Sequence, residues 1–299
     1  MFQRVSGRRR LRWFVILFAA VVVFFYMIFP FAYGFYATVP QRDTVGAPPD
    51  GFQAVDLTAS DGVTLAGWFA PPQNGAAIVL LHGSGDSRES VRAHAELLAR
   101  HGFGVLAIDL RGHAESGGKM NRLGWQGTRD VEAAARFLLA RDDVQVLGGL
   151  GLSVGGEILL GALSAVPALR AVVSEGATYR SPDEFTDLPE HRSLISSLQI
   201  RVMSFAVQLF SGERPPTPML DSITAAEGAR LMLIAAGEVN QEADYARLFA
   251  EAAGPRAAVW VAPGVGHTQA YRRLPAEYEA RVIGFFEAVL LGLPELPAS

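Results

Sequence analysis

The sequence alternates, from about residue 50 to residue 292, between short apolar runs and segments in which apolar residues recur at helical spacing. The run AAIVLLHG has no alternating polar face and ends at a glycine, which is typical of a strand buried on both faces. The next segment, SVRAHAELLARHG, places Val91, Ala95 and Leu98 on one helical face. Because the two patterns keep alternating, the sequence predicts an α/β fold with a mostly parallel sheet covered by helices on both faces.

One long segment, residues 177–228, interrupts this alternation. It separates two predicted strands by far more than a usual loop and contains SLISSLQIRVMSFAVQLFSG, which has helical apolar spacing. The apolar residues on one side of that helix are Ile200, Met203, Val207 and Phe210. Ligands of such sheets lie beyond the carboxyl ends of the strands, so we expect the insertion to form a helical lid there. The alternative is an additional packing helix.

The N-terminal segment predicts a membrane anchor. Residues 13–36 contain no charged residue, and as a helix they would be about 36 Å long, enough to cross a bilayer core of about 30 Å. Five arginines precede this stretch: Arg4, Arg8, Arg9, Arg10 and Arg12. This positive charge predicts a cytoplasmic N-terminus and a single pass, with the remaining chain on the extracytoplasmic side. The predicted organisation is a basic tail and transmembrane anchor (1–37), a linker (38–49) and a globular domain (50–299).

The two alternatives to an uncleaved anchor are a buried core helix and a cleaved signal peptide. A buried core helix does not account for the flanking arginines or the lack of a polar face. A cleaved signal peptide usually has an apolar region of about 7–15 residues, which is shorter than the one here. Pro30 is expected to kink the outer third of the helix, which a membrane helix tolerates.

Charge and cysteine content exclude several classes of function. Of the 26 basic residues, five belong to the N-terminal segment, so the remainder has 21 basic and 30 acidic residues and a net charge of −9. A domain this acidic is a poor binder of nucleic acid, and we expect no nucleic-acid partner. The chain contains no cysteine, which excludes disulfides, thiolate catalysis and cysteine-ligated zinc.

The stretch GLGLSVGGE places Ser153 between two glycines in the pattern G-x-S-x-G. An apolar strand-like run precedes the serine, and small residues that can form a helix follow it. In a tight strand-to-helix turn the serine is strained and its hydroxyl is exposed, while side chains at Gly151 and Gly155 would clash with backbone. The start of the helix stabilises developing negative charge. Ser153 is therefore the candidate nucleophile; the alternative is a serine selected only for compactness.

A serine hydroxyl becomes a good nucleophile only when a base removes its proton. Among the six histidines, His267 lies in VWVAPGVGHT, in the loop after the last predicted strand, and so reaches the same sheet edge as Ser153. His94 and His101 lie on or beside the first predicted helix, away from that edge, and His191 lies in the insertion. His267 is therefore the candidate base, although a single loop histidine is more often inert.

The third member of a triad is expected after the preceding strand, in the stretch GEVNQEADYA. An aspartate often stands three residues beyond the glycine, but that position is Asn240 here. Glu242, in the first turn of the following helix, is the first candidate, and Glu238, directly after the strand, is the second. Asp244 lies slightly further into the helix. Glu175 ends an earlier strand, where we expect a structural carboxylate that braces the insertion.

Four motifs in this order and at these separations resemble the α/β-hydrolase superfamily: LLHGSGDSR, DLRGHAESGG, GLSVGGE and PGVGHT. Residues 50–292 resemble in particular its membrane-anchored bacterial members with serine-aminopeptidase-like or esterase-like cores. The resemblance implies an oxyanion hole formed by the backbone N–H groups of Ser84 and Val154. It also implies supporting rather than catalytic roles for His82, Asp109, Arg111 and His113.

The sequence thus predicts an α/β-hydrolase fold with a lid insertion behind one transmembrane helix. We expect a membrane-tethered serine hydrolase that cleaves a carboxylic ester, or an amide or thioester, through an acyl-enzyme. No metal and no organic cofactor is expected; the expected partners are a small acyl substrate and the membrane, and no protein partner is assigned. One alternative is a non-catalytic module that docks a partner through the insertion, and another is a structural or export-linked membrane protein. The natural substrate is not fixed by the fold.

Overall fold

The structure of the chain, a computed structural model, describes residues 7–119 and 121–294. Arg4, one of the predicted membrane-flanking arginines, and residues 295–299 of the predicted domain lie outside the described residues. The strands are β1 (Gln53–Thr58), β2 (Thr64–Ala70), β3 (Ala76–Leu81), β4 (Gly104–Ile108), β5 (Val146–Leu152), β6 (Leu169–Glu175), β7 (Arg230–Ala236) and β8 (Ala257–Ala262).

The helices of the described residues lie before, between and after these strands. They are α1 (Gly7–Val23), α2 (Phe29–Tyr36), α3 (Arg92–Arg100), α4 (Gly127–Leu139), α5 (Val154–Ala162), α6 (Pro182–Phe185), α7 (Leu194–Ser211), α8 (Met219–Ala225), α9 (Asn240–Ala253), α10 (Ala270–Arg273) and α11 (Pro275–Leu291). A π-helical turn covers Phe24–Ile28, and short 3-10 turns cover Arg88–Val91, Pro189–His191 and Gly254–Arg256.

All eight strands belong to one sheet, in the order β1-β2-β4-β3-β5-β6-β7-β8. The first two strands form an antiparallel hairpin, and β2 pairs antiparallel with β4. The remaining neighbours are parallel. Because β3 lies between β4 and β5, the strand order reverses there, and loops that leave the carboxyl ends diverge around a crevice. The predicted mostly parallel sheet is confirmed.

Helices cover both faces of the sheet. On one face α4, α5, α8 and α9 pack around Val131, Ile158 and Phe249, and on the other α3 and α11 pack around Leu98 and Phe286. Every residue of β3 is buried, as its unbroken apolar run predicted. This doubly covered sheet is the rigid support from which the loops at its carboxyl edge project.

A long apolar helix precedes the sheet and is made of α1, the π-helical turn and α2. Pro30 cannot donate an N–H, and its ring crowds the preceding helical turn. The wider π-helical turn ends at Ile28, two residues before this proline. The span Arg8–Tyr36 is long and apolar enough to cross a membrane, and only 6% of its most apolar window is buried by protein. Its outer end is different, because Pro30, Gly34 and Ala37 are buried.

The insertion between β6 and β7 contains α6, α7 and α8, and its longest helix packs against α2. The Phe210 ring meets the rings of Phe31 and Phe35 edge-on, with centroids 5.7 and 4.8 Å apart. A Cβ atom at Gly34 would overlap the carbonyl oxygen of Met203, so glycine permits the close approach of the two helices. The outer end of the N-terminal helix is therefore docked on the insertion.

A buried ion pair fixes the base of the insertion. Arg180 Nη2 lies 2.9 Å from Glu184 Oε1 and also donates to the Thr217 carbonyl at 2.9 Å. The Met219 N–H donates to the same Glu184 oxygen at 2.9 Å, and Trp125 Nε1 donates to the Arg180 carbonyl at 2.6 Å. Buried charges that are paired and hydrogen-bonded in this way tie the two ends of the insertion to the domain.

Candidate active site

Ser153 occupies the turn between β5 and α5, with a φ of 51° and a ψ of −121°. A non-glycine residue with positive φ is strained by the order of 1–3 kcal/mol, and such strain collects at functional sites. A Cβ at Gly155 would lie 2.6 Å from the Leu81 carbonyl oxygen, and one at Gly151 would overlap the backbone of Gly155 itself. The two glycines therefore let the serine turn pack closely against the neighbouring backbone.

His267 and Glu242 lie next to this serine. His267 Nε2 is 3.0 Å from Ser153 Oγ, and its Nδ1 is 2.6 Å from Glu242 Oε1. With the ring proton on Nδ1, the imidazole donates to the carboxylate and its Nε2 accepts the serine hydroxyl proton. The structure thus brings together a hydroxyl, an imidazole and a carboxylate in the order in which a serine nucleophile is activated.

The carboxylate of Glu242 is almost fully buried, and its second oxygen accepts the Ala236 N–H at 2.8 Å. The hydrogen bond to Glu242 raises the pKa of His267, although partial burial of the ring opposes this effect. Glu157 and Glu175 add smaller electrostatic contributions in the same direction. The carboxylate therefore both orients the imidazole and stabilises its protonated form.

The other acid candidates lie apart from His267. Glu238 is exposed, and its backbone N–H donates to the Val265 carbonyl at 3.1 Å. Asp244 pairs with Arg247 at 3.0 Å on the outer surface of α9. The helix begins at Asn240, so Glu242 lies in its first turn and turns inward under the imidazole.

Glu175 does not brace the insertion, and that expectation is wrong. Its buried Oε1 accepts the N–H of Ala270 at 3.0 Å, because the end of β6 faces the loop that carries His267 rather than the chain that follows it. The Glu175 carbonyl also accepts the Ser153 N–H at 2.7 Å. Burial raises the pKa of Glu175 to about 7. This residue braces the histidine loop and the serine turn together.

The backbone N–H groups of Ser84 and Val154 face no acceptor among the described residues of the protein. Val154 is the first residue of α5, where a helix leaves its N–H groups without an intrahelical partner. The loop of Ser84 approaches the serine turn closely: a Cβ at Gly83 would lie 3.6 Å from Ser153 Cβ. Both N–H groups are therefore available to a negatively charged oxygen.

The two histidines next to this loop are structural. His82 is fully buried and its Nε2 accepts the Leu110 N–H at 3.0 Å, while burial lowers its pKa to about 3. His113 Nε2 accepts the Gly85 N–H at 3.2 Å. Neutral, buried imidazoles of this kind hold the loop before and after Ser84.

Two charged residues of the DLRG turn also serve the structure. Asp109 accepts the Arg88 N–H at 2.7 Å and pairs with its guanidinium. Arg111 forms ion pairs with Asp61 at 2.6 Å and Asp130 at 2.7 Å. The carboxylates of Asp61, Asp109 and Asp130 are thus each paired with an arginine. Neither Asp109 nor Arg111 forms a hydrogen bond with Ser153.

A cleft of about 530 Å³ opens beside these groups, and Gly83, Leu152 and Thr268 line it. The expectation that His94 lies away from this edge is wrong. His94 lines the cleft because α3 begins shortly after the loop that follows β3 and carries Ser84. Its ring packs 4.9 Å from Tyr271, and burial lowers its pKa to about 4. Tyr271 was missed too, and its position only four residues after His267 was the available signal.

The long helix of the insertion, α7, does not line this cleft. It packs on α2, whereas the cleft is lined by the loops after β3 and β8, the end of β5, α3, α10 and the start of α11. The sequence predicts an insertion over residues 177–228, and the structure has residues 176–229 between β6 and β7. Its role as a lid stays a prediction.

The sheet of eight strands among the described residues, with the strained serine turn after β5 and the histidine loop after β8, shows that the chain has the α/β-hydrolase fold. The sequence model of the family described as "Serine aminopeptidase, S33" matches residues 72–219. An esterase of Pyrococcus furiosus has a similar structure, with a TM-score of 0.68 and 24% identity over 85% of this chain and 97% of the esterase. A hypothetical protein of Pseudomonas aeruginosa is also similar, with a TM-score of 0.63 and 20% identity over 83% of this chain and 97% of that protein.

Among curated sequences, the chain is similar to YfhR, an uncharacterized protein of Escherichia coli (strain K12). The two are 32% identical over 156 residues, which is 48% of this chain and 54% of YfhR. The match thus spans about half the length of this relative.

Proposed function

We propose that the chain is a membrane-tethered serine hydrolase that cleaves a carboxylic ester through an acyl-enzyme. The observation that carries this proposal is the 3.0 Å contact between Ser153 Oγ and His267 Nε2, with Glu242 bound to the opposite ring nitrogen. Acyl transfer requires a serine whose hydroxyl contacts an imidazole that is itself bound to a carboxylate, and here the serine is strained and half-buried while the carboxylate is buried.

The first half of the reaction transfers the acyl group to the enzyme. His267 takes the hydroxyl proton as Ser153 Oγ attacks the ester carbonyl, and the carbonyl oxygen becomes an oxyanion. The N–H groups of Val154 and Ser84 donate to that oxyanion, and losing one such donor typically costs about 3–4 kcal/mol of barrier. His267 then returns the proton to the leaving alcohol as the ester bond breaks.

The second half returns the enzyme to its starting state. Water takes the place of the alcohol, gives its proton to His267 and attacks the acyl carbonyl. The acid product leaves as Ser153 regains the proton. In both halves Glu242 holds the imidazole in one tautomer and stabilises its charged form, without itself becoming protonated.

Esters are the proposed substrates, with amides and thioesters as the alternatives. Esterases occur among proteins with similar structures, whereas the family model that matches residues 72–219 is described as a serine aminopeptidase. The cleft beside Ser153 has room for a small acyl group and is lined by both apolar and polar residues.

We further propose that the helix Arg8–Tyr36 anchors the enzyme. Its composition and length suit a single transmembrane pass, and the arginines before Trp13 favour a cytoplasmic N-terminus with the hydrolase domain outside. The alternative is a cleaved signal peptide, which would place the hydrolase domain on the same side of the membrane but without an anchor.

The experiment compares the full chain and its Ser153→Ala variant, each in detergent micelles. Both are assayed with p-nitrophenyl esters of increasing acyl length and with aminoacyl amides. We expect ester turnover by the wild type and none above the background rate for the variant, with unchanged circular dichroism. Ester hydrolysis that survives in the folded variant would contradict the mechanism, and amide cleavage without ester cleavage would contradict the substrate class.

A further inference from the structure

The insertion helix α7 is apolar on two opposite sides. The side that carries Val207 and Phe210 packs on the domain and on α2. A second stripe of exposed or half-exposed apolar residues runs at spacings of three and four along the other side. Its members are Ile195, Leu198, Val202, Phe205 and Leu209. A surface helix of a globular protein needs only one apolar side to pack on its domain, so the second, exposed apolar side of α7 indicates a further partner.

The exposure of this stripe is large. Ile195, Phe205 and Leu209 are 72%, 60% and 59% exposed, and only 28% of the most apolar window of α7 is buried. From Ile195 to Leu209 the helix rises by 14 steps of about 1.5 Å, so the stripe is about 21 Å long. Contiguous apolar surfaces of this kind mark binding sites for protein or membrane.

The surface of α7 is continuous with that of the N-terminal helix. Met27, Ile28 and Phe31 form one apolar groove of about 610 Å³ with Val202 and Phe205. Further along the same contact, Gln199 Nε2 donates to the Phe25 carbonyl at 3.0 Å. Contacts of α7 therefore extend from Phe25 to Phe35, over the outer part of the predicted span. Any lipid that surrounds this part of the anchor must also meet α7.

We infer that the α7 stripe is immersed in the same bilayer as the anchor, so that the hydrolase domain is embedded in the membrane surface rather than tethered above it. This inference rests on the proposed anchoring but not on the proposed chemistry. Arg201, the charged residue among those that line the groove, has a side chain long enough to reach the headgroup level from an apolar surface.

Spin labels measure this immersion directly, because the chain contains no cysteine and each single-cysteine variant carries one label. We would label Phe205→Cys and Leu209→Cys in the full chain, reconstituted in phosphatidylcholine vesicles. Phe18→Cys, on the anchor, and Leu139→Cys, 49% exposed at the end of α4, are the lipid and water controls. All four positions are exposed, so the substitutions leave the core intact.

We expect relaxation of the labels at 205 and 209 to be enhanced by oxygen and not by a water-soluble nickel chelate, as for the label at 18. Enhancement by nickel at 205 and 209, with oxygen still favoured at 18, would overturn the inference and leave the anchoring in place. Protection from both reagents with spin–spin broadening would mean that a second copy covers the stripe, which also overturns it. Nickel access at 18 would overturn anchoring and immersion together.

A separate set of contacts connects the anchor's outer end to the loop that follows β3 and carries Ser84, here called the oxyanion loop. Gln41 Nε2 donates to the Gly85 carbonyl at 3.1 Å, and the Gln41 N–H donates to the Gly112 carbonyl at 2.9 Å. Arg122 Nη2 donates to Gln41 Oε1 at 2.7 Å and to the Tyr36 hydroxyl at 2.8 Å. Tyr36, the last residue of α2, is thereby joined to Gly85 through the side chains of Arg122 and Gln41.

The geometry points to Gln41 as a positioning residue for the Ser84 N–H, a role that rests on the proposed function. Gly85 has a left-handed φ of 78°, and its N–H is held by His113 while its carbonyl is held by Gln41. Fixing both polar groups of Gly85 holds the peptide units on either side of that residue. The first of these, Ser84–Gly85, directly follows the peptide that carries the Ser84 N–H, so its position restrains the direction of that N–H. Oxyanion donors act only when they are held in place before the charge develops.

The substitution Gln41→Glu tests this role, because glutamate keeps the acceptor for Arg122 but opposes the Gly85 carbonyl with a second oxygen. We expect kcat for a p-nitrophenyl ester to fall by about 10- to 100-fold, with KM and the melting temperature nearly unchanged. Gln73→Glu, an exposed glutamine before β3, is the matched control and should leave kcat unchanged. A merely structural role would lower the melting temperature instead.

Wild-type kcat in a folded Gln41→Glu variant would overturn the positioning role. Its failure is distinguishable from failure of the proposed function, because in the latter case the wild type itself shows no turnover that depends on Ser153.

Discussion

Glu242 binds His267 Nδ1 through one carboxylate oxygen, at 2.6 Å, and the backbone N–H of Ala236 through the other, at 2.8 Å. Ala236 is the last residue of β7, so the carboxylate is fixed to the end of a central strand while it orients the imidazole. The Ser153 turn is fixed in a similar way to the end of β6. The reacting groups of the proposed enzyme are therefore held by the sheet edge and not by mobile loops.

The first prediction concerns the choice of acid. Glu242→Gln should lower kcat by the order of 10³–10⁴-fold, because an amide does not hold the imidazole in the reactive tautomer or stabilise its charged form. Glu238→Gln is the matched control, since that side chain is exposed and lies four residues before Glu242, and its kcat should be unchanged. Ester hydrolysis rates for the two variants decide between the two carboxylates, and the reverse order of effects would exclude Glu242.

The second prediction concerns pH. Because the hydrogen bond from Glu242 raises the pKa of His267 above its ordinary value of 6.5, the base is lost as pH falls through a value above 6.5. We expect kcat/KM to rise with pH through that value and then level off. In Glu242→Gln the residual activity should show this rise at lower pH. A rise at the same pH in both proteins would mean that another group is being titrated.

How much of this site the sequence reveals differs from residue to residue. Ser153 and His267 follow from local patterns, because Ser153 directly follows β5 and His267 lies in the loop after β8, and the apolar runs of both strands are easy to recognise. The choice between Glu242 and Glu238 depends on where α9 begins, and a shift of one or two residues would turn a different side chain inward. Gly151 and Gly155, which pack directly against neighbouring backbone, can also be recognised from the sequence, because they form the pattern G-x-S-x-G around Ser153.

The third prediction tests those glycines. Gly155→Ala would place a Cβ 2.6 Å from one carbonyl oxygen and 2.7 Å from another, both in backbone that forms the oxyanion loop. We expect a loss of about 1–3 kcal/mol in the free energy of unfolding and a larger loss of kcat, because the serine turn must shift. Gly284→Ala, in α11 with open space around it, should instead stabilise by about 0.5–1 kcal/mol.

Denaturant unfolding and ester turnover of both alanine variants check this prediction. Wild-type activity and stability in Gly155→Ala would show that the turn is looser than the structure implies.

The fourth prediction concerns a buried carboxylate outside the triad. Glu157 in α5 accepts the N–H and hydroxyl of Thr178 at 3.0 and 3.1 Å, and burial raises its pKa from 4.5 to about 7. Between these two values the native protein binds more protons than the unfolded chain, so the free energy of unfolding falls as pH rises. Glu157→Gln stays neutral and should unfold at a higher temperature than the wild type at pH above 7.

Thermal unfolding of both proteins in micelles, at about pH 5 and about pH 8, checks this. Glu175 has a similarly raised pKa, so the variant should keep part of the pH dependence. Equal melting temperatures of the two proteins at both pH values would contradict a buried, uncharged Glu157.

Other parts of the structure could not be predicted from the sequence. The helix α7 has two apolar sides, and nothing in its spacing indicates which of them meets the domain or that α2 is its neighbour. The contact between Gln41 and Gly85 joins loops that are 44 residues apart, and neither loop carries a periodic pattern. His94 was misplaced for a related reason, because the helical pattern fixes a face but not which end of the helix borders the cleft.

The most direct test of the central claim is covalent labelling of the full chain by a fluorophosphonate, followed by mass spectrometry of its peptides. A fluorophosphonate reacts with a serine only when a neighbouring base activates it. The account predicts a single adduct at Ser153, formed much more slowly in His267→Ala and absent in Ser153→Ala. A folded wild-type protein that forms no adduct, or forms it on another residue, would contradict the account.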